Sequence, residues 1–249
     1  MDNIKIRQLV RESIEHLLIE EGVYDPAIFK AIFLAGGPGS GKSYTQSRIT
    51  SGMGYKVINS DEILEYLAKK YGSSEAVRNA DMMATNEAEN EEIDEIRDRA
   101  KISLNKLYAN QIEGRKGIII DGTGGNYDKI KDQSEELRSL GYDTKMIFVN
   151  TSLDTALERN QQRERRVSDE IVNKLWQAVQ NNLGKFQNYF GRNNFTIIDN
   201  NTPIDEGDKR IRDEIADDVW VEVMNFTRDK PENQIAAKWI ENELQIRRR

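Results

Sequence analysis

The 249-residue chain contains no cysteine. Disulfides, thiolate nucleophiles, zinc knuckles and iron–sulfur ligation are therefore excluded. Histidine occurs once, as His16, which excludes a multi-histidine metal centre and argues against a Ser-His-Asp triad. His16 falls near the polar face of an N-terminal helical pattern and reads as solvated. Any metal must be held mainly by oxygen, which points to Mg²⁺. No apolar run approaches the roughly 18 residues that span a membrane. The opening stretch, MDNIKIRQLVRESIEHLL, carries acids and lacks a small-residue cleavage site. It does not read as a secretory signal, and a cytoplasmic protein with no membrane partner is expected. Prolines are few, at positions 26, 38, 203 and 231, and no repeat or low-complexity linker divides the chain.

An excess of basic residues is also missing: 36 Lys+Arg face 43 Asp+Glu, a net charge of −7. Eight of those acids lie between Asp81 and Asp98 with Arg97 as the only base, so the rest of the chain is neutral overall. The acidic balance therefore does not exclude a nucleic-acid partner, although no long basic stripe announces one. The acid run reads as a solvated helix face or as a flap toward a basic partner.

The apolar spacing alternates between strand and helix. Ile6, Leu9, Val10, Ile14, Leu17 and Leu18 mark a helix over 3–20. Strands are expected at 31–35, 55–59, 117–121, 144–149 and 195–199. Helices are expected at 42–50, 61–71, most of 74–114, 126–140, 152–163, 168–190, 205–228 and 232–247. The inner stripe of the long helix is Ile93, Ile96, Ala100, Leu104 and Leu107. This alternation predicts an α/β protein: a five-stranded parallel sheet in three layers, with helical N- and C-terminal additions. The expected organisation is an N-terminal helical extension over 1–27, a core over 28–200 and a C-terminal extension over 201–249. Trp176, Trp220 and Trp239 fall on helices as packing anchors. Arg247, Arg248 and Arg249 read as a solvated helix end.

Residues Gly36 to Ser43 spell G-G-P-G-S-G-K-S, which satisfies G-x-x-x-x-G-K-[ST] in full. Phosphate needs several N–H groups converging on it, and Gly36, Gly37, Gly39 and Gly41 let the backbone curl that tightly. The following helix adds its positive N-terminal end. Lys42 then faces the β- and γ-phosphates of ATP, and Ser43 offers a hydroxyl to Mg²⁺. Ser40 and Tyr44 complete the expected nucleotide-binding stretch. The run follows an expected strand and opens an expected helix, so it has the context of a P-loop NTPase fold.

Chemistry in open parallel sheets gathers at the carboxyl ends of the strands. Asp61 follows the second strand, where a carboxylate can act as general base toward an acceptor hydroxyl. Ser60-Asp61-Glu62 is also a good helix start. Asp121 ends the Ile-Ile-Ile run of the third strand, the position of an acid that holds Mg²⁺ directly or through water. It also precedes a turn at Gly122. Gly122-Thr123-Gly124-Gly125 is either a loop that lets substrate approach the backbone, with Thr123 at hand, or a plain turn. Arg159, Arg163 and Arg166 share a helix face by spacing. They, with Arg165, can meet charge on a transferring phosphoryl group or simply decorate a helix end. A lid is expected around 159–168.

Four pieces together resemble a known group: Gly36 to Ser43, Asn59-Ser60-Asp61, Ile120-Asp121-Gly122-Thr123, and Glu158-Arg159-Asn160-Gln-Gln-Arg163 with Val167 downstream. The chain is similar to P-loop kinases grouped around polynucleotide 5′-hydroxyl kinase, zeta toxin and chloramphenicol phosphotransferase. The Arg-Asn-x-x-Arg piece looks like that of phage polynucleotide kinases, and most of the chain resembles kinases predicted in large tailed phages. The resemblance covers roughly 30–200. It implies that Lys42 and Ser43 bind ATP and Mg²⁺, that Asp61 is the general base, that Arg163 stabilises the transferring phosphoryl group and that Arg159 assists the nucleotide. One departure bears on the acceptor. Polynucleotide kinases carry an arginine three residues after the base, where this chain has Leu64.

The expected function is ATP- and Mg²⁺-dependent phosphoryl transfer to a hydroxyl. A polynucleotide 5′-hydroxyl comes first among acceptors. The alternatives are a nucleotide-sugar or other small molecule, as for zeta toxin-like kinases, and a nucleotide-operated interaction protein without turnover. Adenine recognition is expected in the loop after Asp199, where no residue stands out.

Overall fold

The computed structural model describes residues 22–50, 52–72, 87–162, 167–201 and 206–248, with the side chains of 87–93 and 206–216 outside that description. The helix expected at 3–20, with His16, lies outside the described residues, as do the first part of the acid run and Arg163, Arg165 and Arg166.

Five strands form one sheet: β1 (Lys30–Ala35), β2 (Lys56–Ile58), β3 (Ile118–Asp121), β4 (Asp143–Asn150) and β5 (Phe195–Asp199). Their order is β2-β3-β1-β4-β5 and every pair is parallel. β1 is central, and all six of its residues are buried. A strand covered on both faces reads as an unbroken apolar run, which is why Ala31-Ile-Phe-Leu-Ala35 was legible. Ala31 pairs with Ile118 on one side, and Ala35 pairs with Phe148 on the other. β2 covers 56–58 rather than 55–59 because it is an edge strand with β3 as its one partner, and Asn59 turns away to cap the next helix.

The side-chain alternation of β1 divides the core in two. Ala31, Phe33 and Ala35 face one layer; Ile32 and Leu34 face the other. The first layer contains α3 (Glu87–Glu113), α4 (Tyr127–Ser139), α6 (Asp169–Phe190) and α8 (Gln234–Arg247). Phe186, Phe190 and Leu137 are buried there against Phe33 and Phe148. Ile96 and Ala100 of α3 are buried on the expected stripe, whereas Asp94, Glu95 and Asp98 are exposed. The opposite layer contains α1 (Lys42–Ile49) and α7 (Glu206–Arg228), which bring Ile49, Val219 and Val223 onto Ile32, Leu34 and Ile147. Full burial of each such side chain stabilises the fold by about 1.5–3 kcal/mol. α2 (Ser60–Lys70) packs beside α3, and α5 (Leu153–Gln161) leads toward α6. Among the described residues, no helix is long and apolar enough to cross a membrane.

The C-terminal helices are tied to the amino end of the sheet. The Lys30 ammonium is 2.9 Å from Asp143, and the Lys145 ammonium is 2.6 Å from Glu222. Both lysine side chains are 2% exposed. Asp143 also accepts the backbone N–H groups of Glu232 and Asn233 at the start of α8. Asn233 caps α8 through the Ile235 N–H and donates its amide to the Arg138 carbonyl at the end of α4. Asn233→Ala is expected to lower stability by about 1–2 kcal/mol, seen as a lower urea midpoint with unchanged nucleotide affinity. An unchanged midpoint would show that α8 adds nothing to the cooperative unit.

Candidate functional site

The connection out of β1 leads to β2, on the far side of β3, while β3 leads across β1 to β4. The chain therefore diverges at the carboxyl end of β1, which is where open parallel sheets leave a crevice. Two loops meet there in register. Gly122 N–H donates to Leu34 O, and Gly36 N–H donates to Thr123 O, each at 3.0 Å. The β1–β3 ladder thus runs on into both glycine-rich stretches.

Residues 36–41 form the turn between β1 and α1. Gly41 has φ +86°, and a Cβ there would lie 2.3 Å from Asn200 Nδ2. Gly39 has φ +73°, and a Cβ there would lie 2.5 Å from Ala156 O on α5. Both positions demand glycine on conformation and on space. α1 begins at Lys42 with no side-chain cap. By contrast, α2, α4, α5, α6 and α8 are capped by Asn59, Asn126, Ser152, Ser168 and Asn233. Gly41 thus offers no side chain to the first N–H groups of α1, which carry the positive end of its dipole. The Lys42 ammonium arches back over the loop to donate to Gly36 O at 2.6 Å. Ser43 and Tyr44 follow on the first turn, both exposed.

Asp121 gathers charged and polar groups around itself, Lys42 among them. Asp121, at the end of β3, accepts from Asn59 Nδ2 at 2.7 Å through Oδ2. Its Oδ1 is buried with no hydrogen-bond partner among the described residues. Burial pushes the Asp121 carboxyl above its ordinary range; Lys42 opposes this, while Asp61 and Glu62 reinforce it. These couplings place Asp61, Glu62, Asp121 and Lys42 in one electrostatic cluster. Asn59 bridges it, because its Oδ1 also accepts the Asp61 N–H at 2.8 Å and starts α2. Asp61 and Thr123 are exposed toward solvent. Among the described residues, no group of three or more His, Asp or Glu could hold a metal ion alone. A buried carboxylate oxygen without a donor, next to a hydroxyl-bearing helix start, instead suits a hard cation that arrives with oxygens of its own. The residues present therefore fit Mg²⁺ carried on a nucleotide.

A second set of contacts holds these loops in place. Asn160 is buried, donates its amide to Val167 O at 2.8 Å and accepts the Val167 N–H at 3.3 Å. One side chain thus ties the end of α5 to Val167, just before α6. Arg159 reaches Gly39 O at 3.4 Å. On α6, Trp176 lies alongside Gly37 and donates to Thr151 O at 2.8 Å. Gln180 donates to Asn150 Oδ1. Buried Asn182 donates to both Gly124 O and Gly125 O. A single helix therefore supports the P-loop, the end of β4 and the second glycine loop. Gly124 serves this packing, since a Cβ there would lie 2.9 Å from the Cβ of Ala35.

Lys42, Asp61, Asp121, Thr123 and Arg159, predicted from sequence, are thus brought to one end of the sheet together with Gly37, Gly39, Ser40, Gly41, Ser43 and Tyr44. Arg163 lies outside the described residues. Sequence reading assigned no role to Asn150, Asn182 or Asn200, and quoted Asn59 and Asn160 without one. A signal was present: an asparagine ends or follows β2, β4 and β5, as Asn59, Asn150 and Asn200.

A family model described as zeta toxin matches residues 25–205. The chain is 31% identical over 138 residues to adenylate kinase isoenzyme 5 of Bos taurus. That match covers 55% of this chain and 22% of the relative, so the chain spans about a fifth of the curated protein's length. Among solved structures, the PezAT chromosomal toxin–antitoxin system of Streptococcus pneumoniae aligns with a TM-score of 0.51 at 16% identity, covering 98% of this chain and 97% of that one. A gluconokinase from Sinorhizobium meliloti 1021 aligns with a TM-score of 0.45 at 13% identity, covering 87% of this chain and 97% of that one. The fold is that of P-loop kinases, and phosphoryl transfer is the chemistry of the class. The match spans the whole sheet, from the turn before β1 past the end of β5, and on it the chain belongs to the zeta toxin family of P-loop phosphotransferases.

Proposed function

We propose that this protein transfers the γ-phosphoryl group of ATP to an acceptor hydroxyl in a Mg²⁺-dependent reaction. The observation that carries the reading is the meeting of the uncapped start of α1, with Lys42 over it, and the Asp61–Asn59–Asp121 chain at one end of the sheet. In this reading, α1 and residues 36–41 seat the phosphates, and Lys42 swings from Gly36 O to the β- and γ-oxygens. Asp61 takes the acceptor's proton as its oxygen bonds to the γ-phosphorus. The bond from that phosphorus to the β–γ bridging oxygen breaks, and ADP leaves with the electron pair. Asp121 and the Ser43 hydroxyl are the groups of this chain that would hold Mg²⁺, which would supply neutralising charge to the phosphates when bound with the nucleotide. Arg159 and, on the motif alone, Arg163 meet charge on the phosphoryl oxygens.

The resemblance to polynucleotide kinases names a polynucleotide 5′-hydroxyl as acceptor. A second reading, a small-molecule hydroxyl such as that of a nucleotide-sugar, is favoured by the first turns of α2. Asp61, Glu62 and Glu65 are all exposed there, and Leu64 stands where the polynucleotide enzymes keep an arginine. Anions at that spot repel a phosphate backbone.

The test is label transfer from γ-labelled ATP to 5′-hydroxyl RNA and DNA oligonucleotides and, in parallel, to a panel of nucleotide-sugars, with Lys42→Ala as control. Label on an oligonucleotide, with wild type alone, establishes the polynucleotide reading. Label on a small molecule alone establishes the second. ATP binding without transfer to any acceptor would instead support a nucleotide-operated interaction protein.

A further inference from the structure

Asn200 is the first residue after β5, 160 positions from the P-loop in sequence, yet its buried side-chain amide donates to Ser40 O at 2.7 Å. Its backbone is fixed from both sides. Asn200 N–H donates to Asn150 O at 2.9 Å, continuing the β4–β5 ladder. Asn200 O accepts the Thr151 hydroxyl at 3.3 Å. The donor is thus held by the sheet itself, not by a loose loop. It also lies so close to the P-loop that any side chain at 41 would collide with it.

The peptide between Ser40 and Gly41 is trans. In a trans peptide, C=O and N–H point in opposite directions. A carbonyl held toward β5 therefore turns the Gly41 N–H away from β5. Gly41 is the residue immediately before α1, whose own first N–H groups have no side-chain cap. Glycine at 41, with φ +86°, frees one of the two torsions that turn this peptide plane. Something must select one orientation of that peptide plane, and Asn200 is the side chain positioned to do so.

We propose that Asn200 is a positioning residue that sets the phosphate affinity of the P-loop by orienting the Ser40–Gly41 peptide, so that the Gly41 N–H faces the bound phosphates. It acts through the backbone and touches no part of the base. The proposal rests on residues 36–43 being the phosphate site, and it assigns a structural cause to the tightness of that site. It also gives the loop after Asp199 a different task from adenine recognition.

The experiment measures equilibrium binding of Mg²⁺-ADP and of Mg²⁺-tripolyphosphate to the full chain, with no acceptor needed. Asn200→Ala and the near-isosteric Asn200→Asp are compared with wild type, and each variant's melting temperature is recorded without ligand. Asn200→Ala is expected to weaken both ligands about 10-fold, the effect of losing one hydrogen bond from a preorganised site. Asn200→Asp, which cannot donate and adds negative charge beside the phosphates, is expected to weaken both further. A purely structural residue would lower the melting temperature of both variants while the folded fraction bound phosphate normally, and that result overturns the proposal. Weaker ADP with unchanged tripolyphosphate would make Asn200 a base-recognition residue and also overturn it. If wild type bound neither ligand, the kinase reading would fail with it. Wild-type affinity that survives both substitutions sinks this proposal alone.

Discussion

Asp61→Asn is expected to lower the turnover number by about 10²–10⁴-fold, the range for removing a general base, while the KM for ATP changes by less than about 2-fold. The substitution is nearly isosteric. The Asp61 N–H would still donate to Asn59 Oδ1 and start α2, so the helix, the Asn59 bridge and the Asp121 carboxylate keep their places. Only the acceptor capacity toward a hydroxyl proton is lost. Asp61 is exposed at the carboxyl end of β2, where a substrate can reach it, and its charge acts on Asp121. The measurement is a steady-state comparison on whichever acceptor is labelled, with ligand-free melting temperature as control. Unchanged turnover would remove Asp61 from the chemistry and leave its helix-start role as the whole explanation. A rise in the KM for ATP with unchanged turnover would place Asp61 on the nucleotide instead.

Asp61 and Asp121 stand at strand ends that local sequence patterns made visible. Gly36 to Ser43 were legible because phosphate binding by backbone N–H groups imposes glycine at fixed offsets from Lys42. β1 and β3 were legible because a central parallel strand must be apolar on both faces. What could not be read was what joins these pieces. Asn59 meets Asp121 across 62 positions and Asn200 meets Ser40 across 160. An amide side chain carries no periodicity and no charge, so its partner is set entirely by topology. The C-terminal helices show the same limit. Their ranges and the tryptophan anchors were legible, but not that Val223 would sit on Ile32 and Leu34 or that Trp239 would meet Phe29 edge-on. The α5 boundary moved from 152–163 to Leu153–Gln161 because Ser152 serves as its cap and Gln162 closes it.

Asp121→Asn is expected to separate stability from activity at one position. Asp121 is half-buried, its Oδ1 is buried with no donor among the described residues, and burial raises its pKa despite Lys42. Its folded pKa therefore exceeds its unfolded one. Between those two values the folded state binds the more protons, so stability falls as pH rises through that window. Above the window the ionised carboxylate carries the full penalty; below the unfolded value the penalty vanishes. Asparagine is neutral throughout, and its oxygen can still accept from Asn59. Without Mg²⁺ or nucleotide, Asp121→Asn is thus expected to melt at a higher temperature than wild type at pH 7–8, with the gain shrinking toward about pH 4, the ordinary carboxylate range. Turnover should fall by about 10²–10³-fold, as when one preorganised group facing developing charge is removed. Mg²⁺ affinity of the wild type should weaken as pH drops through the raised pKa of Asp121, because the cation competes with a proton for the same oxygen. The variant's Mg²⁺ dependence should be weak and insensitive to pH in that range. Thermal melts across pH, paired with Mg²⁺ titrations of the transfer reaction, check both halves. A variant that melts lower than wild type at neutral pH would show that the unpaired oxygen is not a source of instability. A variant that keeps wild-type Mg²⁺ dependence would take Asp121 off the metal.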